Sequence, residues 1–210
     1  MRRGRVKGWA GLVEGEGRRA MSEPQGPSQL PAGATAEGDG IAVGDGAVRV
    51  DLYIDFLCPF CKQFELGAND VLNSLLREHR ATLVYHPMNF LDEASTTRYS
   101  TRASAASGCA SDGGKFVEFT HQMFAGQPPE GGAGLSDKEI TEIGVSAGVG
   151  QAAFASCLGD GRYHDWPTFV TSRAAQAGVE GTPTVRVNGA DVEPDADSLT
   201  AAVQQAESKS

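Results

Sequence analysis

No run of about 18 apolar residues occurs in the 210-residue chain, so no segment reads as a membrane-spanning helix. Positive charge is scarce too. Lys and Arg number 18 against 27 Asp and Glu, a formal net charge of −9. An acidic protein repels phosphate backbones, which argues against nucleic acid as a partner. Histidine is thin. His79, His86, His121 and His164 are scattered and flank no cysteine pair. Zinc ordinarily takes two cysteine pairs, or one pair with closely spaced histidines, so no metal site and no cofactor is expected. No G-x-G-x-x-G follows a strand pattern, and the acidic residues lack calcium-loop spacing. What remains, 40% hydrophobic and 21% charged residues, suits a globular protein long enough to bury one sizeable core.

The first 20 residues differ from the rest. They hold six Lys and Arg against two Glu, leaving 12 against 25 in the other 190. Gly and Glu interrupt "VKGWAGLVEG" and no apolar stretch follows, so the segment does not read as a secretory signal. Met21 offers an alternative start. "SEPQGPSQLPAGATAEGDG" has almost no large apolar residue and cannot bury enough surface to offset its ordering entropy. Residues 1–46 are therefore expected to form a disordered extension. The glycines of "AEGDGIAVGDGAV" read as a flexible lead-in.

From Val48 the pattern changes. "VRVDLYIDF" alternates, with Val48, Val50, Leu52, Ile54 and Phe56 on one face and Arg49, Asp51, Tyr53 and Asp55 on the other, which is strand periodicity. Pro59 stops strand pairing and suits a first helical turn. "CKQFELGANDVLNSLLREHR" has helical spacing with a kink expected at Gly67, and "ATLVYHPMNF" reads as a second strand. The helix between them allows a parallel crossover. Residues 96–177 read as a run of helices, with a capping box at Ser136 and Glu139 and a Gly/Pro link in "GQPPEGGAGL". Phe116, Phe119, Met123 and Phe124 fall on one helical face and are expected in the core. "TPTVRVNGADVEP" reads as a hairpin turning at Asn188-Gly189, and "ADSLTAAVQQAE" as a helix.

The stretch "DFLCPFCKQFE" carries the chemistry. Cys58 lies where a strand ends and a helix begins, so free backbone N–H groups and the positive end of the helix dipole face its sulfur. Both favour thiolate, and Cys58 is expected to have a depressed pKa. Cys61 lies one turn along, deeper and less exposed. Such a pair can run dithiol exchange, with Cys58 as nucleophile and Cys61 as resolver. Two merely packed cysteines are the alternative.

A strand followed by C-x-x-C and a helix, a helical insert, and a later Thr-Pro opening a strand in "GVEGTPTVRV" together resemble the thioredoxin fold with a DsbA-like helical domain. The resemblance spans about residues 47–206. It implies an α/β fold, a central mixed sheet flanked by helices, with an inserted helical subdomain over about 96–177 in a domain at 47–207. It also implies that Pro183 is cis and faces the cysteine pair, with Thr182 and Pro183 offering backbone to substrate. Pro59, Phe60 and Pro183 would form an open apolar surface suited to unfolded polypeptide.

The chain departs from the family twice. Six positions before the first cysteine, where the family carries an acid, stands Leu52. Asp55 is the nearby alternative, expected instead as a solvated or helix-capping carboxylate. Between the cysteines stand Pro59 and Phe60 rather than a histidine, so the pair is expected to be less oxidising than that of DsbA. The resemblance further implies a second, non-catalytic disulfide between Cys109 and Cys157, each flanked by small residues in a helical segment. Two free buried thiols are the alternative.

The function expected is a thiol–disulfide oxidoreductase acting on protein substrates with thiols or disulfides, recycled by an unidentified redox partner. A non-catalytic chaperone or adaptor on the same surface is the alternative, and a glutathione-dependent small-molecule enzyme fits less well. Without an export signal the formal default is the cytoplasm. Four cysteines in two disulfides suit an oxidising compartment better.

Overall fold

The computed structural model describes residues 26–209. One mixed sheet contains β1 (Ile41–Val43), β2 (Val48–Ile54), β3 (Ala81–Pro87), β4 (Thr184–Val187) and β5 (Ala190–Val192), in the order β1-β3-β2-β4-β5. β2 and β3 run parallel, with Val48 opposite Ala81 and Ile54 opposite Pro87. The other neighbours are antiparallel. Helices α1 (Pro59–Gly67) and α2 (Asn69–Arg77) connect the parallel pair. The helix breaks rather than kinks at Ala68, whose ψ of 2° leaves the helical region.

β2 is the central strand, and burial there runs deeper than alternation suggests. Asp51 and Tyr53, on the phase read as polar, are buried along with Leu52 and Ile54, because both faces of the strand are covered. Asp51 is accommodated by Arg49 at 2.7 Å and by His86 Nε2 at 3.0 Å. The β4–β5 hairpin turns at Asn188 and Gly189, with φ of 46° and 83°, the left-handed pair that a tight hairpin turn requires.

Between β3 and β4 run α3 (Tyr99–Asp112), α4 (Phe116–Ala125), α5 (Asp137–Ser146), α6 (Gln151–Gly159) and α7 (Trp166–Gln176); α8 (Ala196–Glu207) follows β5. The capping box of Ser136 and Glu139 starts α5. Phe56, just beyond β2, stacks on Phe124 with ring centroids 5.1 Å apart and meets Phe119 edge-on at 6.4 Å. That packing ties the insert to the sheet, and truncating such a buried ring costs about 3–5 kcal/mol. α3 is buried along nearly its whole length, which its Ala, Ser, Gly and Cys residues permit sterically. Its serine and threonine hydroxyls are paired, whereas the Tyr99 hydroxyl is buried without a partner. Ser104 donates to the Met88 carbonyl, Thr101 to the Asp92 carboxylate and Ser111 to the Ala32 carbonyl.

The expectation of a disordered 1–46 is corrected for the described part. Ile41–Val43 form an edge strand against β3, Ala34 bridges to Ile41, and Trp166 Nε1 donates to the Gly38 carbonyl at 2.8 Å. The glycines serve close approach rather than flexibility: a Cβ on Gly40 would sit 2.7 Å from the Tyr85 carbonyl oxygen. Residues 1–25 lie outside the described residues.

Candidate active site at the start of helix α1

The chain leaves β2 at Ile54 and turns tightly, with Cys58 N–H donating to the Asp55 carbonyl at 3.0 Å. Cys58 is then the residue that caps α1, in extended conformation (φ −70°, ψ 119°), with Pro59 as the first helical residue. Cys58 Sγ lies 3.2 Å from the Thr182 carbonyl, to which the thiol donates. The Cys58 pKa is lowered to about 6. The Cys61 thiol contributes most by hydrogen-bonding the thiolate, followed by the Thr182 side chain and the backbone N–H groups of Cys61 and Phe60, against an opposing effect of burial.

Cys61 is fully buried, and burial pushes its thiol well above the ordinary value, with the Cys58 thiolate adding to the rise. Its Sγ accepts from the Asp55 backbone N–H at 3.4 Å. Both cysteines are free thiols. The two sulfurs thus differ in the sense dithiol exchange needs: the surroundings of Cys58 favour thiolate and those of Cys61 favour thiol.

Across the site, the Thr182–Pro183 peptide is cis. Pro59 is exposed and Phe60 is 69% exposed beside the sulfur. Phe90, 49% exposed, was not singled out in the sequence. Its loop is fastened to the cysteine loop by Met88 N–H donating to the Ile54 carbonyl and Leu91 N–H donating to Asp55 Oδ2, both at 2.8 Å.

Three supporting residues were missed or misread in the sequence. Asp55 is neither solvated nor a helix cap. It is fully buried, because the chain turns inward after Ile54 and α3 and the loop after β3 close over it. Its Oδ1 accepts from Leu57 N–H at 2.8 Å and from Ser100 Oγ at 2.6 Å. Burial raises its pKa to about 6. Glu65, 2% exposed, is lifted to about 7 by burial, partly offset by a hydrogen bond from Tyr85, and its Oε2 has no partner. Its spacing four residues after Cys61 places both on one helical face, a pattern visible in the sequence. Gln127, from the loop after α4, donates its amide to the carbonyls of Phe56 and Cys58, both at 2.9 Å, and so fastens the insert to the cysteine turn.

Cys109 of α3 and Cys157 of α6 form a disulfide with Cα atoms 5.9 Å apart, remote from this dithiol in chain and element. Gly144-Val145-Ser146-Ala147-Gly148 matches the G-x-S-x-G spacing of serine hydrolases, yet Ser146 ends α5 instead of sitting on a strand-to-helix turn. Among the described residues no group of His, Cys, Asp and Glu is placed to hold a metal ion.

This architecture is that of a thioredoxin-fold protein: a mixed sheet, a C-x-x-C at the first turn of the helix after the central strand, and a facing cis-proline. The chain matches the family model described as thioredoxin over residues 37–205 and belongs to that family. Among solved structures it is similar to the reduced disulfide oxidoreductase DsbG of Mycobacterium tuberculosis, with 31% identity and a TM-score of 0.71, covering 80% of this chain and 88% of that one. It is also similar to reduced DsbA of the same organism, with 31% identity and a TM-score of 0.69, over 80% of this chain and 91% of that one. Among curated proteins, the serine/threonine-protein kinase PknE of Mycobacterium tuberculosis is 30% identical over 132 residues. That match takes in 59% of this chain but only 23% of the kinase, so the chain spans less than a quarter of the curated relatives it matches.

Proposed function

We propose that this protein is a thiol–disulfide oxidoreductase of DsbA-like type, exchanging disulfides with protein substrates through Cys58 and Cys61. The observation that carries the reading is the asymmetry of the pair: a Cys58 pKa near 6 at the helix start beside a buried Cys61 with a raised one. The Cys58 thiolate attacks one sulfur of a substrate disulfide. A bond forms between Cys58 Sγ and that sulfur, the substrate bond breaks, and the second substrate sulfur leaves as thiolate. Cys61, once deprotonated, attacks Cys58 Sγ. The intramolecular disulfide closes and the first substrate sulfur leaves, so the substrate gains the two electrons that the pair loses. Run backwards, the same steps oxidise a substrate dithiol. A redox partner must then return the pair to its starting state.

Pro59, Phe60, Thr182 and Pro183 hold substrate in this reading. The exposed ring of Phe60 supplies apolar contact, and the backbone at Thr182 pairs with an extended peptide. The test is insulin reduction combined with alkylation. At pH 7 a thiol with a pKa near 6 is about 90% thiolate, while one above the ordinary range is at most a few per cent thiolate. Cys58 should therefore alkylate tens of times faster than Cys61, and Cys61→Ser should trap mixed disulfides. Equal alkylation rates, or trapping by Cys58→Ser, would overturn the assignment. Suppressed aggregation of unfolded protein without any disulfide exchange would favour the chaperone alternative.

A further inference from the structure

Two segments from distant parts of the chain meet the cysteine turn. One is the loop after β3. Met88 N–H and Leu91 N–H fasten it to the Ile54 carbonyl and the Asp55 carboxyl, and Phe90 stands half-exposed between those two anchors. The other is the segment at Thr182, whose carbonyl lies 3.2 Å from Cys58 Sγ. That segment leaves the end of α7 and is pinned at its start: Val179 N–H donates to the Ala174 carbonyl at 3.0 Å, and Arg186 donates to the Ala177 carbonyl at 3.1 Å. The position of α7 therefore sets the position of Thr182.

Asn89 is the residue that ties the first segment to α7. Its N–H donates to Thr171 Oγ1 at 2.9 Å, and its Oδ1 lies 2.7 Å from the same hydroxyl. Its Nδ2 donates to Thr168 Oγ1 at 3.1 Å and to Thr101 Oγ1 of α3 at 3.0 Å, with Asp92 Oδ2 3.3 Å away. Thr168 and Thr171 are three residues apart and so share one face of α7. The Thr171 hydroxyl is steadied against the Pro167 carbonyl at 2.8 Å. Only an amide of this length brings an acceptor and two donors together here. An aspartate would set a second carboxylate beside Asp92, and an apolar residue would leave the loop N–H as its sole bond to α7.

We infer that Asn89 is a positioning residue that fixes the spacing between Phe90 and the Thr182–Pro183 segment, and so decides how well an extended peptide fits with its disulfide at Cys58 Sγ. The inference rests on the substrate reading proposed above. A peptide spans both segments and gains from their being held in one arrangement before it binds. A small disulfide needs only the Cys58 sulfur and is indifferent to the spacing. Asn89 touches neither sulfur, so its loss leaves the thiolate and its hydrogen-bond donors in place.

The test gives the reduced protein two substrates: an extended peptide whose single cysteine is in mixed disulfide with glutathione, and glutathione disulfide alone. Asn89→Ala should raise KM for the peptide about tenfold, with kcat and the rate on glutathione disulfide within about twofold of wild type. Thr171→Val removes the hydroxyl and nearly keeps the shape. It should raise the peptide KM about threefold, and it carries the test if Asn89→Ala does not fold. Thr171→Ser keeps the hydroxyl and should restore the wild-type KM. Hydrogen exchange adds a readout that needs no turnover: the Phe90 and Leu91 amides should exchange faster in Asn89→Ala and Thr171→Val but not in Thr171→Ser. An equal loss of rate on both substrates would make Asn89 a residue of general stability and overturn the inference. A peptide KM that stays at the wild-type value in both variants would overturn it too, as would unchanged exchange at Phe90 and Leu91. A wild type that exchanges disulfides with neither substrate would instead sink the proposed function, and the hydrogen exchange would still decide whether Asn89 holds the loop.

Discussion

Cys58 and Cys61 are three residues apart and stand at the mouth of a helix, while Cys109 and Cys157 are 48 residues apart and join two helices of the insert. All four are buried by residue area. The pairs differ in what surrounds the sulfur. Cys58 has a helix start, free N–H groups and the Thr182 carbonyl around it. Cys109 and Cys157 lie among the small residues of α3 and the body of α6, away from any helix start. Reactivity here follows from hydrogen-bond donors aimed at a thiolate rather than from exposure of the residue. A pair close in sequence can also exchange partners without moving the fold. A pair linking distant segments is useful as a constraint on the unfolded chain.

The largest test of this contrast is activity. Cys58→Ser should lower insulin reduction by at least about a thousandfold, because the attacking thiolate is lost. The double Cys109→Ser, Cys157→Ser variant should stay within about twofold of wild type, since neither sulfur enters the exchange. A comparable loss in both would break the contrast.

Stability should show the reverse ranking. The Cys109–Cys157 bridge closes a loop over a separation of 48 residues. Chain-entropy arithmetic for such a loop gives about 4 kcal/mol as an upper value. The double serine variant should melt about 8–16 °C lower in calorimetry for a chain of this size. A melting temperature unchanged by reduction would mean that the bridge constrains nothing.

Glu65, one helical turn after Cys61, should make the stability of that end depend on pH. Its folded pKa of about 7 lies above the 4.5 of a free glutamate. Its contribution is therefore fully present below about pH 4.5 and lost as pH rises through 7. Glu65→Gln, which stays neutral, should match wild type at pH 4 and exceed it at pH 8, by at most about 3 kcal/mol in urea denaturation. No gain at pH 8 would show that the carboxyl is accommodated by groups other than Tyr85.

The smallest effect belongs to Gln127. Gln127→Ala removes two hydrogen bonds to the cysteine turn, each worth about 0.5–1.5 kcal/mol net. Turnover in the insulin assay should fall about three- to tenfold, and the melting temperature by about 2–12 °C. An unaffected turnover would separate the insert from the dithiol.

Much of this was legible in residue patterns because it rests on local chemistry. Alternation marked β2, the Asn188-Gly189 pair marked the hairpin, the Ser136 and Glu139 box marked the start of α5, and C-x-x-C after a strand marked the dithiol. Each is set by neighbours within a few residues. Glu65 could have been found by its i+4 spacing from Cys61, but its lack of a charged partner could not. The N-terminal glycines misled because a residue that permits flexibility also permits backbone to pass close to backbone, and only the presence of Tyr85 decides between the two.

By itself the sequence determined the order of elements and the placing of a cysteine pair at a helix start, since helix starts, turns and the cysteine spacing are local in origin. The tertiary structure alone decided which polar groups are buried and against what. Asp55 alternates as a solvated residue would, yet Leu91 N–H, 36 residues away, and Ser100 Oγ, 45 residues away, close over it. The desolvation that raises a carboxyl, and the facing of Thr182 onto Cys58 across 124 residues, come from segments brought together only by packing.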